Sequence, residues 1–202
     1  MAGSASCTSN GNGTVESSAR PSYSPSSVAI ATPLGPLLAG ATERTLYLLA
    51  FADGQQHETQ LARLQARLGC CFLTGRPAPT AAAERQLGEY FSGQRQRFDL
   101  PLQLAGTPFQ QAVWHALGQV PYGETVSYGK LARRIGRPKA TRAVARANRD
   151  NCLPILIPCH RAIGADGRLT GYSGGVWRKQ WLLALEGAAV GPSFGPDGLD
   201  WA

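Results

Sequence analysis

Apolar and polar positions follow two different periods along this chain. Phe98, Leu100, Leu102 and Leu104 alternate strictly with polar or proline neighbours, which predicts a strand with one buried face. Apolar runs at 28–31, 37–41 and 45–51 predict three earlier strands, the first two joined by the Pro33-Leu34-Gly35-Pro36 turn. Between these and the alternating segment, Leu61, Leu64 and Leu68 recur at helical spacing. Leu87, Tyr90 and Phe91 mark another helix, which Thr80 is placed to cap and which stops near Gly93.

Beyond residue 104 helical periods dominate. Thr107-Pro108 pairs a cap with a proline in the first turn, and Phe109, Val113, Trp114 and Leu117 give that helix an apolar stripe. A short helix is expected at 127–135, capped by Ser127, with Leu131, Ala132 and Ile135 turned inward and Gly136 and Pro138 ending it. A third follows at 140–149, where Ala143, Val144 and Ala147 share a face and the arginines lie outside. Two short helices around a glycine turn outline a helix-turn-helix, although a plain helical hairpin on a basic surface has the same outline. Trp177, Trp181 and Leu185 recur on a last helix ending at Glu186-Gly187, and the stripe reads as core.

The fold class expected is α+β: an N-terminal domain over 28–104 and a mainly helical domain over 105–187. Residues 1–27, rich in Ser, Gly, Asn and Thr, and the Gly- and Pro-rich 188–202 are expected to be irregular tails. Nothing resembles a secretory leader, and no apolar run reaches the roughly 20 residues a membrane helix needs, so no membrane association is expected.

Charge sharpens the picture. The net charge is +7, unremarkable alone, but Lys130, Arg133, Arg134, Arg137, Lys139, Arg142, Arg146 and Arg149 follow one another without an acidic residue between them. Such one-sign clustering favours a polyanionic partner. The five cysteines, Cys7, Cys70, Cys71, Cys152 and Cys159, are odd in number and irregularly spaced, which fits reduced thiols rather than a disulfide framework. They offer no zinc spacing with His57, His115 or His160, so no metal is expected.

Chemistry concentrates in Asn151-Cys152-Leu153-Pro154-Ile155-Leu156-Ile157-Pro158-Cys159-His160-Arg161. The apolar 155–157 reads as a short buried strand delivering Cys159 and His160 at its end. A cysteine reacts as its thiolate and needs a base or cation to form one. Adjacent extended side chains point to opposite faces, so direct contact between His160 and the thiol is not guaranteed and a bridging water is a natural route. An inert buried cysteine is the competing reading. Downstream lie an Asp166-Gly167 turn and a flexible Gly171-Tyr172-Ser173-Gly174-Gly175 segment; Glu186 is either solvated or placed to orient a histidine.

Pro158-Cys159-His160-Arg161 with Gly171-Tyr172-Ser173-Gly174-Gly175 resembles the O6-alkylguanine-DNA alkyltransferase family, also called methylated-DNA–protein-cysteine methyltransferase. The similarity continues through Phe109 to Trp114, Pro121 to Tyr128 and Arg142-Ala143-Val144, strongly from Thr107 onward and loosely over 28–104. The resemblance implies a ribonuclease-H-like N-terminal domain and a helix-turn-helix that enters the minor groove. It implies transfer of an alkyl group from O6 of guanine in double-stranded DNA, with O4-alkylthymine as a further candidate, to Cys159, once per molecule and without a cofactor. His160 would act as base through water, Glu186 would orient it, Asn151 would support the turn, and Tyr128 would give a proton to guanine N3. Arg142 would replace the extruded base, with Tyr128 crowding the target phosphate. Ser127, Arg137, Thr141, Ala143 and Arg149 would contact DNA, and Tyr172, Ser173 and Ala162 would hold the flipped guanine. A monomer is implied, with cooperative binding open, acting in the bacterial cytoplasm at the nucleoid or in a eukaryotic nucleus.

Two positions depart from the family pattern: Ala145 stands where glycine is usual, and Cys152 where proline is usual. A non-catalytic lesion-binding relative would lack Cys159. A plain DNA-binding regulator would leave Cys159-His160 idle, and a cysteine hydrolase would need an oxyanion hole that no segment supplies.

Overall fold

In the computed structural model, residues 26–53, 64, 66–67, 73–74 and 76–189 are described. Strand β1 (Ser26–Ile30) pairs antiparallel with β2 (Leu37–Ala41), β2 pairs antiparallel with β3 (Leu46–Phe51), and the short β4 (Leu73–Thr74) runs parallel to β1. The order is β3-β2-β1-β4. Both faces of β3 are covered: Leu49 and Phe51 enter the main core, while Leu48 and Ala50 meet Leu64 on the other side. Two-sided covering explains why this segment is apolar throughout rather than alternating. The first strand starts at Ser26, two residues inside the expected tail. The rest of that tail, 190–202, Cys7, His57, Cys70, Cys71 and most of the helix expected around Leu61 and Leu68 lie outside the described residues.

Helix α1 (Ala78–Phe91) buries Ala83, Leu87 and Tyr90 and packs on β1 and β2. It begins after Pro77, earlier than expected, because Pro79 fits a first turn where no N–H is needed. Thr80 is therefore not the cap; it is buried inside the first turn, its hydroxyl donating back to the Pro77 carbonyl at 2.7 Å. The alternating segment also differs. Leu102 forms one isolated bridge to Leu46, with Leu46 N–H donating to Pro101 and Gln103 N–H to Leu46. The leucines alternate in burial as their period demands, but Pro101 has no N–H and a ladder cannot extend past it.

The second half follows its sequence signals more closely. Helix α2 (Pro108–Gly118) opens with a capping box: Thr107 accepts from the Gln110 N–H while Gln110 accepts from the Thr107 N–H. Strand β5 (Val126–Ser127) runs parallel to β6 (Ala162–Ile163), and Ser127 caps α3 (Tyr128–Arg134) through the Lys130 N–H. Helix α4 (Thr141–Arg149) packs against α2 and α3, burying Val144, Ala147 and Asn148. Ala143 is exposed rather than on that face: at 100° per residue it sits apart from the Val144–Ala147–Asn148 stripe. Its exposed side carries Arg142, Arg146 and Arg149.

Helix α5 (Val176–Leu185) overturns the expected core stripe. Trp177 and Trp181 are exposed, at 48% and 36%, and the buried face is Arg178, Lys179, Leu182 and Leu183. The two cations are held by carbonyls rather than by water. Arg178 donates to Leu34 and Gly174 and pairs with Asp53, and Lys179 donates to Ala162 and Thr170. Gly174 makes the Arg178 contact feasible, since a Cβ there would stand 2.5 Å from the Phe51 ring.

One apolar core runs through both halves, from Leu37 and Tyr90 to Leu131 and Cys159. Backbone bonds stitch it, among them Leu49 N–H to the Cys152 carbonyl at 2.8 Å. Cys152 itself faces the Leu48–Ala50–Leu64 cluster on the N-terminal side.

Candidate active site

Residues 155–157 form a tight turn and not the expected strand. Pro154 and Ile157 bridge each other, the Ile157 N–H donates to the Leu153 carbonyl, and Ile155 takes a positive φ of 73°. All three apolar side chains are buried, so the run looked like a strand while its backbone folds back. Left-handed geometry at a β-branched residue costs on the order of 1–3 kcal/mol and persists only where neighbours impose it. Asn151 is one such neighbour: its Nδ2 donates to the Ile157 carbonyl at 3.0 Å, and its Oδ1 accepts from the Leu153 N–H at 3.0 Å.

The turn hands the chain through Pro158 into a single 3-10 turn, Cys159–Arg161. Cys159 is 1% exposed; its N–H donates to the Ile157 carbonyl, and its carbonyl accepts from Asn148 Nδ2 of α4. Burial raises the thiol to about 11 from its ordinary 9.0, against the pull of an Asn151 hydrogen bond, the Lys179 charge and nearby backbone N–H groups.

His160 and Arg161 both turn to Glu186 at the end of α5. Glu186 Oε1 lies 2.9 Å from His160 Nε2, and Arg161 clamps the carboxylate with Nε at 2.8 Å and Nη2 at 2.9 Å. Tyr90 Oη donates to Oε1 at 2.7 Å and the Gly123 N–H to Oε2 at 3.3 Å. Gly123 has φ +76°, and a Cβ there would meet the Glu186 carbonyl at 2.8 Å. Burial alone would raise the Glu186 carboxyl, but the hydrogen bonds and charges of His160 and Arg161 bring it down to about 2. An ionised carboxylate can only accept, so the neutral imidazole carries its proton on Nε2. That leaves the lone pair on Nδ1, which is buried and has no hydrogen-bond partner among the described residues. Burial, helped by the Arg161 and Lys179 charges, holds the imidazole below its ordinary 6.5 despite Glu186, which keeps it neutral and basic at Nδ1.

A cleft of about 310 Å³ opens nearby, lined by Tyr128, Ala145, Arg149, Thr170, Gly171 and Tyr172. Burial pushes the Tyr128 hydroxyl up, with the Cys159 charge adding and a hydrogen bond from the Thr170 side chain opposing. Tyr172 is raised further by burial and by Cys159, and its hydroxyl is buried without a hydrogen-bond partner among the described residues. Ser173 is half-buried in the same loop, whereas Ala162 is fully buried and offers its carbonyl to Lys179. Ser127 is half-buried at the cap of α3, and Arg137, Thr141, Arg142, Ala143 and Arg149 are exposed on the turn and on α4. Two groups thus emerge: a buried Cys159–His160–Glu186–Asn151 cluster and an exposed basic helix, with the Tyr128–Tyr172 cleft between them.

Four residues that sequence reasoning left aside belong to the cluster. Arg161 and Tyr90 share Glu186, Asn148 ties α4 to Cys159, and Lys179 sits fully buried in electrostatic contact with the thiol, its ammonium lowered by burial to about 8. Reading α5 by its cations at 178 and 179 with the leucines at 182 and 183 would have marked Lys179 as inward.

Known proteins match the chain in two parts. Residues 28–104 match the description 6-O-methylguanine DNA methyltransferase, ribonuclease-like domain, and residues 108–188 match 6-O-methylguanine DNA methyltransferase, DNA binding domain. The chain is 56% identical over 113 residues to a methylated-DNA–protein-cysteine methyltransferase of Mycolicibacterium paratuberculosis, covering 56% of this chain and 68% of that one. It is 43% identical over 157 residues to the protein of that name from Methanosarcina barkeri, covering 78% of this chain and 94% of that one. Among solved structures, the Mycobacterium tuberculosis O6-methylguanine methyltransferase superposes with a TM-score of 0.69 at 43% identity, covering 81% of this chain and 93% of that one. The OGT of that organism in complex with DNA gives 0.68 at 42%, covering 79% and 91%.

Proposed function

Because the chain belongs to the 6-O-methylguanine DNA methyltransferase family, we infer that it repairs DNA directly, moving an alkyl group from O6 of guanine in double-stranded DNA onto Sγ of Cys159. The observation that carries this reading is a buried thiol next in sequence to a histidine whose Nδ1 has no hydrogen-bond partner among the described residues, beside a cleft walled by a basic helix.

The side chains have complementary tasks. Arg133, Arg134, Arg137, Lys139, Arg142, Arg146 and Arg149 are all exposed and supply phosphate attraction, which salt should weaken steeply. O6 of a stacked guanine cannot reach a buried thiol, so the nucleotide must rotate out of the duplex. Arg142, exposed on α4, fills the vacated stack, and Tyr128 and Tyr172 receive the base. Nδ1 of His160 takes the Cys159 proton, through one water where the gap requires it. The thiolate attacks the alkyl carbon; the S–C bond forms as the C–O6 bond breaks, and that electron pair passes to the guanine ring. Tyr128 protonates N3 and regains a proton from the His160 side. The net exchange is the thiol proton for the alkyl group, which balances without a co-reactant. The thioether does not hydrolyse, so each monomer acts once, wherever genomic DNA lies: a bacterial nucleoid or a eukaryotic nucleus.

Intact-mass measurement after mixing with duplex DNA carrying O6-methylguanine tests this directly. One methyl group gained, mapped to Cys159 and absent from Cys159→Ala, is expected. An unmodified protein that still binds the duplex would leave lesion recognition alone.

A further inference from the structure

The carboxylate that orients His160 is held from the other half of the molecule. Tyr90 lies in the last turn of α1, on the ribonuclease-like side, and is 0% exposed. Its hydroxyl donates at 2.7 Å to Glu186 Oε1, the same oxygen that faces His160 Nε2 at 2.9 Å. The ring is fixed by Phe91, Phe98 and Tyr122, with centroids at 5.5, 5.4 and 6.1 Å. Arg161 and the Gly123 N–H occupy the remaining acceptor positions of the carboxylate, so among the described residues Tyr90 is the first half's own contact to the site's ionised group.

We propose that Tyr90 is a positioning residue for alkyl transfer, through which the N-terminal half sets how strongly Glu186 polarises His160. This rests on the alkyl-transfer reading above. A donor on Oε1 draws charge away from the bond to His160, so Tyr90 keeps the imidazole a weaker, neutral base and fixes the carboxylate's angle. The other titratable or charged groups around the pair are Arg161 and Cys159 in the turn, Lys179 on α5, Tyr122 after α2 and Tyr172 before α5. Arg161 Nη2 also donates to Oε1, at 2.9 Å, while its Nε holds Oε2; besides His160, the Tyr90 hydroxyl is the neutral side-chain donor on Oε1.

The test is single-turnover methyl transfer across roughly pH 5–8 by the full chain, with wild type, Tyr90→Phe and Phe91→Leu, together with duplex affinity. Phe91→Leu disturbs the same packing without touching Glu186. Tyr90→Phe should slow transfer about tenfold, the scale of losing an outer partner of a functional histidine. Its acid limb should move to higher pH with DNA affinity unchanged, while Phe91→Leu keeps the wild-type limb. A Tyr90→Phe limb that stays put, whatever happens to the melting temperature, overturns the proposal. Should that variant not fold, site-specific Tyr90→3-fluorotyrosine decides: a stronger donor of nearly equal shape should move the limb to lower pH, and an unmoved limb overturns the proposal. Wild-type protein that transfers nothing refutes the alkyl-transfer reading itself, and this proposal with it.

Discussion

Lys179 Nζ donates to the Thr170 carbonyl at 2.9 Å and also to the Ala162 carbonyl, so one buried ammonium joins β6, which follows the reactive turn, to the loop that lines the cleft. Its charge is felt by Cys159, and the thiol's charge is felt in return. Lys179→Met keeps the bulk and removes both effects. The thiol should ionise less readily and the loop should lose its tie, slowing single-turnover transfer on the order of tenfold or more, since 1.4 kcal/mol is a factor of ten. Two carbonyls left unmatched should cost about 1–3 kcal/mol each at most, offset by the buried charge that is gone. Thiol alkylation by iodoacetamide against pH would show the apparent thiol pKa rising; an unmoved curve would remove Lys179 from the electrostatics of the site.

Acid stability should report on Glu186. Folding holds its carboxyl at about 2 against an ordinary 4.5. A carboxyl depressed by folding contributes stability that is complete above about pH 4.5 and is lost as the pH falls toward 2. The separation corresponds to on the order of 3 kcal/mol. Glu186→Gln should lose that acid limb in urea titrations. It should also destabilise the neutral protein by about 3–5 kcal/mol, because Arg161 would remain buried without its anion.

Arg142 should matter only when a base must be extruded. It is exposed, so Arg142→Ala should leave the melting temperature nearly unchanged. Transfer from a paired duplex should slow about tenfold or more, because unstacking costs a few kcal/mol, while transfer from an unpaired O6-methylguanine should change little. Equal slowing on both substrates would point to phosphate contact instead.

Ala145 lines the cleft together with Thr170 and Tyr172, and glycine there would lack its methyl group. Ala145→Gly should raise the rate with O6-benzylguanine relative to O6-methylguanine in the same duplex, at a helix cost of about 0.5–1 kcal/mol. An unchanged ratio would show that alkyl size is read elsewhere.

Much of this was legible in the chain because local rules govern it. The Thr107 and Ser127 caps rest on contacts within a few residues and stand where the pattern put them, and the three apolar runs form β1 to β3 with the first starting two residues early. The Pro158–Arg161 motif and Glu186 were visible as residue types, but their convergence is tertiary. Three expectations failed for a common reason: local residue pattern does not fix which side chains tertiary contacts bury, nor in what backbone shape. The 155–157 run is buried in a turn, Thr80 is buried beyond a proline-led start, and α5 buries its cations while two tryptophans face outward. Tyr90 carried no signal beyond core, since only its distant partner gives the hydroxyl a purpose.

The shared core has a consequence for how the molecule comes apart. Leu49 bonded to Cys152, Arg178 reaching Leu34 and Asp53, and Tyr90 bonded to Glu186 tie the two halves together at separate places. Two regions that match separate family descriptions should therefore unfold as one cooperative unit, giving a single calorimetric transition. For recombination the same continuity acts as a constraint: a half exchanged for that of a distant relative must bring its partner side chains along, so the two halves inherit change as a pair.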